Sequence, residues 1–446
     1  MGMKTIRYVP AAVILVLSFL QGATGTVFED ADVQPRISGY ASFEAGEVVK
    51  GTTQSGETEG VWLETGYLGI RLEADINERL RILIGGEWRQ LFSFRRSEGA
   101  SINEYLSARR PRTVFLFKHG AALYSIGEGD YPLFQMETGF FPYKYNSDAR
   151  NLGEYLFRSY CYPTAVLNMF DRPFADLVGA RFGNFLPAGP GCFHEDIILN
   201  TNMTNNIMEL WPAMDWSLSL LADFSIPRLL TVGAGIQWFN LIPVGLTNSQ
   251  IGNPENPDPS LTGGRQLSFA GIKHMVRFSF DVKGLFAEST FFISKLGNED
   301  LKLYGEAAVL GVKNYVDTIS DTLWNQGFNK RSWRSPVMVG INLPAFKILD
   351  VLNFELEYWD SPYPNSYRYA YYDFLPLPTE RTPHSKLKWS VYAKRSFGPN
   401  FSLIFQAARD HLIPYTAPNV NEFADKTDIL LENADWWWTG KVRFQF

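Results

Sequence analysis

The chain has 446 residues, of which 46% are hydrophobic, 15% aromatic and 20% charged, and its formal net charge is −6. The acidic balance argues against nucleic-acid binding. Its two cysteines lack CxxC spacing and so make no metal site, and no apolar run after residue 25 reaches the 18 or so residues of a membrane helix.

The N-terminus reads as a secretory signal over residues 1–25. Lys4 and Arg7 form a positive start, Val9 to Leu20 an apolar core, and Ala23-Thr24-Gly25 a cleavage site of small residues. Its removal takes two bases and no acid, so the net charge moves from −6 to −8. Residues 26–446 then form a single domain. The whole chain carries 12 Trp, 21 Tyr and 34 Phe. Export, many aromatics and no membrane helix suit a β-barrel, whose aromatic girdles sit at both membrane interfaces.

Strand patterns begin at 36–49. In 61–74, Trp62, Gly66, Leu68, Ile70, Leu72 and Ala74 share one face, with Glu64 as the exception. Thr65, Tyr67, Gly69, Arg71 and Glu73 share the other. "DINE" makes a turn at 75–78. The next strand, 79–94, sets Leu80, Ile82, Ile84 and Trp88 against Arg79, Arg81, Glu87 and Arg89. Successive strand residues point to opposite faces. Arg71, Arg79, Arg81 and Arg89 are therefore expected to line a lumen, since arginine facing lipid costs about 2–4 kcal/mol at the bilayer midplane. These strands also run past the usual five or six residues.

Two more strands, 113–126 and 133–141, lead to a third long loop, 142–164. Its ionisable groups are Lys144, Asp148, Arg150, Glu154 and Arg158. Pro142 removes a ladder donor, and Asn146-Ser147-Asp148 favours a turn. The expectation is that this loop enters the lumen and constricts it, because rings of charge are how pores select ions. The alternative is a solvated external loop. The stretch "GFFPYKYNSDARNLGEYLF" resembles the strand-to-loop passage of phosphate-selective porins. The loop is also the third by strand count, the position where many diffusion porins place their constriction.

Further strands are expected at 174–185, 193–203, 213–224, 228–240, 267–281, 285–295, 300–314, 334–343, 349–359, 386–396, 400–410 and 432–446. The total is seventeen, whereas single-chain bacterial barrels are even-numbered. The expected fold is therefore an all-β transmembrane antiparallel β-barrel of 16 or 18 strands. Cys161 and Cys192 are candidates for a disulfide, which an exported location permits; whether they pair is left open. In "FHED", His194, Glu195 and Asp196 alternate in direction, so not all three can converge. No G-x-S-x-G motif occurs, and the chain is read as no enzyme.

The ending "ADWWWTGKVRFQF" sends Trp436, Trp438, Gly440, Val442, Phe444 and Phe446 to one face. It resembles the C-terminal assembly signal of Gram-negative outer-membrane barrels in Gly440, Phe444 and Phe446, with the glycine one place off the commonest spacing. That resemblance implies recognition by the barrel-assembly machinery and insertion into the outer membrane. The expected function is a porin-like channel for passive diffusion of small hydrophilic solutes or ions. The alternative is a plugged or structural barrel that binds a partner or polysaccharide through its long external loops. Expected partners are membrane lipid, lipopolysaccharide, small solutes and further copies of the chain. No cofactor, metal or nucleic acid is expected.

Overall fold

The structure is a computed structural model. It describes residues 35–50, 61–95, 112–127, 132–157, 175–201, 216–242, 271–286, 291–310, 331–360, 386–409 and 436–446, with the short pieces 52–53, 56–57, 250–251 and 267–268. The expected signal segment, 1–25, lies outside the described residues.

Sixteen strands close into one antiparallel barrel. They are β1 (Pro35–Lys50), β2 (Val61–Asp75), β3 (Leu80–Arg95), β4 (Arg112–Ile126), β5 (Phe134–Tyr143), β6 (Ala175–Ala188), β7 (Gly191–Thr201) and β8 (Trp216–Ile226). The second half comprises β9 (Leu230–Ile242), β10 (Gly271–Asp281), β11 (Lys302–Val309), β12 (Val337–Asn342), β13 (Val351–Tyr358), β14 (Leu387–Phe397), β15 (Phe401–Ala408) and β16 (Trp436–Gln445). Each strand pairs with its neighbours in sequence, and β1 pairs with β16 to close the ring. Closure satisfies the backbone of every strand without leaving an edge.

The alternation read from the sequence decides which face is which. Leu68, Phe115, Val232, Val276, Val339, Leu403, Phe405, Val442 and Phe444 are exposed on the outer wall. Between them, Tyr67, Glu87, Asp196, Ser219, Lys273, Glu306, Glu355, Gln406 and Lys441 point inward and are buried. An apolar wall around the whole ring is what lipid solvates, and a polar interior is its complement. Register shifts occur at Val48/Lys50, at Trp216/Leu218 and between Gly85 and Gly86, the last opposite Phe117 and His119. This bulge lets the exposed Phe115 and Phe117 of β4 share a barrel wall with the inward His119 and Ala121.

Turns at one end of the barrel are short. At 76–79, the Asn77 side-chain oxygen accepts the backbone N–H groups of Arg79 and Leu80, each at 2.9 Å. The β6–β7 turn uses Gly189 at φ 60°, where a Cβ would be strained. The opposite end carries the long connections, including 144–174, 243–270 and 359–386.

Two expectations need correction. The described residues of segment 285–295 form no strand: they hold the end of a 3₁₀ turn (Val282–Leu285) and a short helix, α1 (Phe291–Lys295). The seventeenth strand disappears, and the even count is restored. Arg79 sits exposed in the turn before β3 rather than on the lumen wall.

Candidate functional site

The loop after β5 is described as far as residue 157. It begins at Lys144, since the ladder continues through Pro142, which pairs with Asp176, to Tyr143. The loop does not stay outside. It crosses to strands halfway round the ring from β5, where wall carboxylates hold its backbone.

Glu355 on β13 is the main anchor. Its Oε1 accepts the N–H of Arg150 at 2.6 Å, and its Oε2 accepts those of Asn151 and Leu152, each at 2.9 Å. The Tyr304 hydroxyl donates to the same carboxylate at 2.6 Å. Glu306 on β11 accepts the N–H of Glu154 at 2.6 Å, and Glu357 accepts the Tyr155 hydroxyl at 2.6 Å. The Asn151 amide donates to Ser390 Oγ at 2.7 Å and accepts from Gln406 at 2.8 Å. Hydrogen bonds to a charged acceptor contribute about 1.5–3 kcal/mol each, so Glu355 binds the loop more firmly than any neutral contact here.

Local sequence makes the loop turn back. Asn146 Oδ1 accepts the N–H of Asp148 at 3.2 Å, an Asx turn. Gly153 at φ 92° and Glu154 at φ 59° are consecutive left-handed residues. The Glu154 carboxylate then closes the loop on itself, accepting the N–H groups of Tyr145 at 3.1 Å and Asn146 at 2.7 Å. Burial pushes the pKa of the Glu154 carboxyl above the usual carboxylate range, against the pull of Lys144 and those two N–H groups. Burial also pulls Lys144 down to about 8, against the attraction of Glu154, Glu355 and Glu306. Its Nζ donates to the Ala149 carbonyl at 2.6 Å. The loop's apolar residues, Ala149, Leu152, Tyr155 and Leu156, join Phe141, Leu177, Ile198, Leu221, Met275 and Met338 of the inner wall in one buried cluster.

Of the five charged candidates, four are thus brought together in the lumen, while Arg158 lies outside the described residues. Arg150 reaches Glu299 at 2.9 Å and lies over the Tyr392 ring, and Asp148 is 3.6 Å from Lys302. Glu299 and Lys302 were not singled out in the sequence. The signal for them was weak, because 285–295 read as a strand and hid the turn that carries Glu299.

The remaining arc, β16 with β1 to β3, carries a second charged network. Arg71 pairs with Glu73 at 2.8 Å, Arg81 with Asp75 at 2.6 Å, Arg89 with Glu87 at 2.5 Å and Lys441 with Glu44 at 3.1 Å. Arg71, Arg81 and Arg89 share their strands' inward parity, as the alternation requires. A third network lies under the loop. Arg277 grips Asp223 through two bonds of 2.9 and 2.7 Å, and Arg181 holds Asp196 at 2.8 Å. His194 lies 3.3 Å from Asp196, while Glu195 faces away toward Asn184. Two residues of the "FHED" stretch therefore converge and the third does not.

A closed sixteen-stranded antiparallel wall, apolar outside and charged inside, encloses a loop folded across its lumen. The architecture is porin-like. No protein-family model and no curated relative matches the chain. Solved structures that match include a triple mutant of Rhodopseudomonas blastica porin, at 9% identity and TM-score 0.40, over 93% of this chain and 100% of that one. Salmonella typhi OmpF in complex with daunomycin matches at 13% identity and TM-score 0.44, over 92% of this porin-like chain and 97% of the other.

Cys161 lies outside the described residues. Cys192 opens β7 beside the short Gly189–Pro190 turn. Gly440, Phe444 and Phe446 lie at the closing seam. Phe446 donates its N–H to the Gly39 carbonyl at 3.0 Å and accepts from Gly39 at 2.9 Å.

Proposed function

We propose that the chain is an outer-membrane channel for passive diffusion of small hydrophilic solutes or ions, with the loop 144–157 forming its constriction. The observation that carries this reading is the pinning of residues 150–152 to Glu355 on the far wall. A loop held by three backbone bonds is a fixed constriction rather than a transient visitor. A barrel of sixteen strands is wide enough for an aqueous channel, and lumen charges select among ions. Arg71, Arg81 and Arg89, balanced by Glu73, Asp75 and Glu87, face the lumen on the arc that the anchoring carboxylates do not occupy. Lipid and lipopolysaccharide are the partners that the apolar wall suits. Lumen groups such as His194 and Asp196 lie in pairs, which suits a channel wall. Association of several copies of the chain belongs to the same reading.

Full burial of Ala149, Leu152, Tyr155 and Leu156 favours one competing reading. In it the barrel is closed and serves as a scaffold for a partner or polysaccharide. Planar-bilayer recording of the purified protein separates the two. Discrete conductance steps are expected, and their absence at protein concentrations where porins insert would replace the channel with the scaffold. Within the channel reading, Arg150→Ala shifts the reversal potential toward cations.

A further inference from the structure

We infer that Glu299, carried by the β10–β11 connection at the short-turn end of the barrel, is a specificity-determining residue of the pore. This rests on the channel reading above.

The β10–β11 connection, 282–301, is far longer than its counterparts at the same end. It is also firmly held. Lys283 Nζ donates to the carbonyls of Gly297, Asn298 and Asp300 at 3.2, 2.7 and 2.6 Å. Asp300, fully buried, accepts the N–H groups of Gly297 at 2.8 Å and Phe346 at 3.1 Å. Lys347 Nζ reaches the Ser294 carbonyl at 2.8 Å. Glu299 therefore projects from a fixed frame.

Its carboxylate bridges two cations on different elements. Oε2 accepts from Arg150 of the loop at 2.9 Å, and Oε1 from Lys302 of β11 at 2.8 Å. Asp148 completes the cluster, 3.6 Å from Lys302. Two positive and two negative groups alternate, so the cluster is locally neutral.

Exposure decides which of them a passing ion meets. The Arg150 side chain is 4% exposed, whereas those of Glu299 and Lys302 are 28% and 20% exposed. Glu299 covers Arg150 and stands on the solvent side of it. The charge read at this point of the pore is that of Glu299 beside Lys302, with Arg150 neutralised behind. Removing the Glu299 charge leaves the cluster at +1. Removing the Lys302 charge leaves it at −1.

The test is ion selectivity of the full-length protein in planar bilayers under a KCl gradient, for E299Q, K302Q, R150A and E78Q. Glu78 is exposed in the turn before β3, so E78Q makes the same change in net charge as E299Q at a different place. Folding of each variant is checked by heat-modifiable migration. E299Q is expected to raise the chloride-to-potassium permeability ratio about two- to threefold, an effect of one charge within a Debye length of about 8 Å. K302Q is expected to lower it by a similar factor, with E78Q unchanged. If R150A shifts the ratio while E299Q and K302Q do not, the loop constricts the pore but Glu299 has no part in selection. Equal shifts in E299Q and E78Q would reduce the effect to net charge and overturn the assignment. Failure of the wild type to conduct would remove the channel reading, and this inference with it.

Discussion

Glu355 holds three backbone N–H groups that would otherwise be buried without an acceptor, and each such loss costs about 1–3 kcal/mol. Glu355→Ala is therefore expected to speed hydrogen exchange at residues 150–152 by at least about tenfold, since each decade corresponds to about 1.4 kcal/mol. Unchanged protection there would mean that the loop is held by packing alone. Lys144 gives a pH dependence. In the docked loop it is pulled down to about 8 by burial, from an ordinary 10.5. The protonated amine therefore opposes docking. That penalty is fully present below about 8 and is relieved as pH rises toward 10.5. Between pH 7.5 and 9.5, the thermal midpoint of heat-modifiable migration should fall less, or rise more, in the wild type than in Lys144→Met. Identical pH profiles would dismiss Lys144 as a titrating group. The sequence exposed these charges but not their partners. Parity puts Glu306, Glu355 and Glu357 on inner faces, yet the pairing of Glu355 with residues 150–152 depends on a chord across the ring, which no local pattern encodes.

Strands were legible because a two-residue period leaves its mark on every turn of the wall. The misread element, 285–295, is instructive. "FAESTFFIS" is rich in the aromatic and β-branched residues that favour strands, but a strand there would reverse the direction of every later one. The antiparallel closure of β10 on β11 overrides local propensity, and the surplus residues form the frame that carries Glu299. The turn at 153–154 in the lumen loop depends on one backbone conformation. Gly153 sits at φ 92°, and a Cβ there would meet Met338 Cε at 2.7 Å and Glu306 Oε1 at 2.8 Å. Gly153→Val should lower the urea midpoint of the folded barrel by the equivalent of about 1–3 kcal/mol and make single-channel currents noisier. A variant as stable and as quiet as the wild type would show that the turn at 153–154 is not strained.

The whole barrel depends on one seam, where β1 meets β16 from Tyr40↔Gln445 to Lys50↔Trp436. Deleting Phe446 removes both of its backbone bonds to Gly39. The deletion is expected to lower the fraction that refolds into lipid vesicles to the heat-modifiable form. Gly440, by contrast, has open space where a Cβ would stand, with only the Ala45 carbonyl at 4.0 Å, so Gly440→Ala should refold as well as the wild type. If both variants refold normally, the terminal residues matter only for recognition and not for closure. The seam also imposes a schedule. β2 follows β1 directly and satisfies one of its edges early. The other edge must wait for residues 436–446, the last part of the barrel to be made. Closing so long a loop adds little free energy, since the cost grows only with the logarithm of length. What it adds is delay. Throughout that interval β1 offers an unpaired row of N–H and carbonyl groups to any passing strand, and the exposure ends only when the final strand docks.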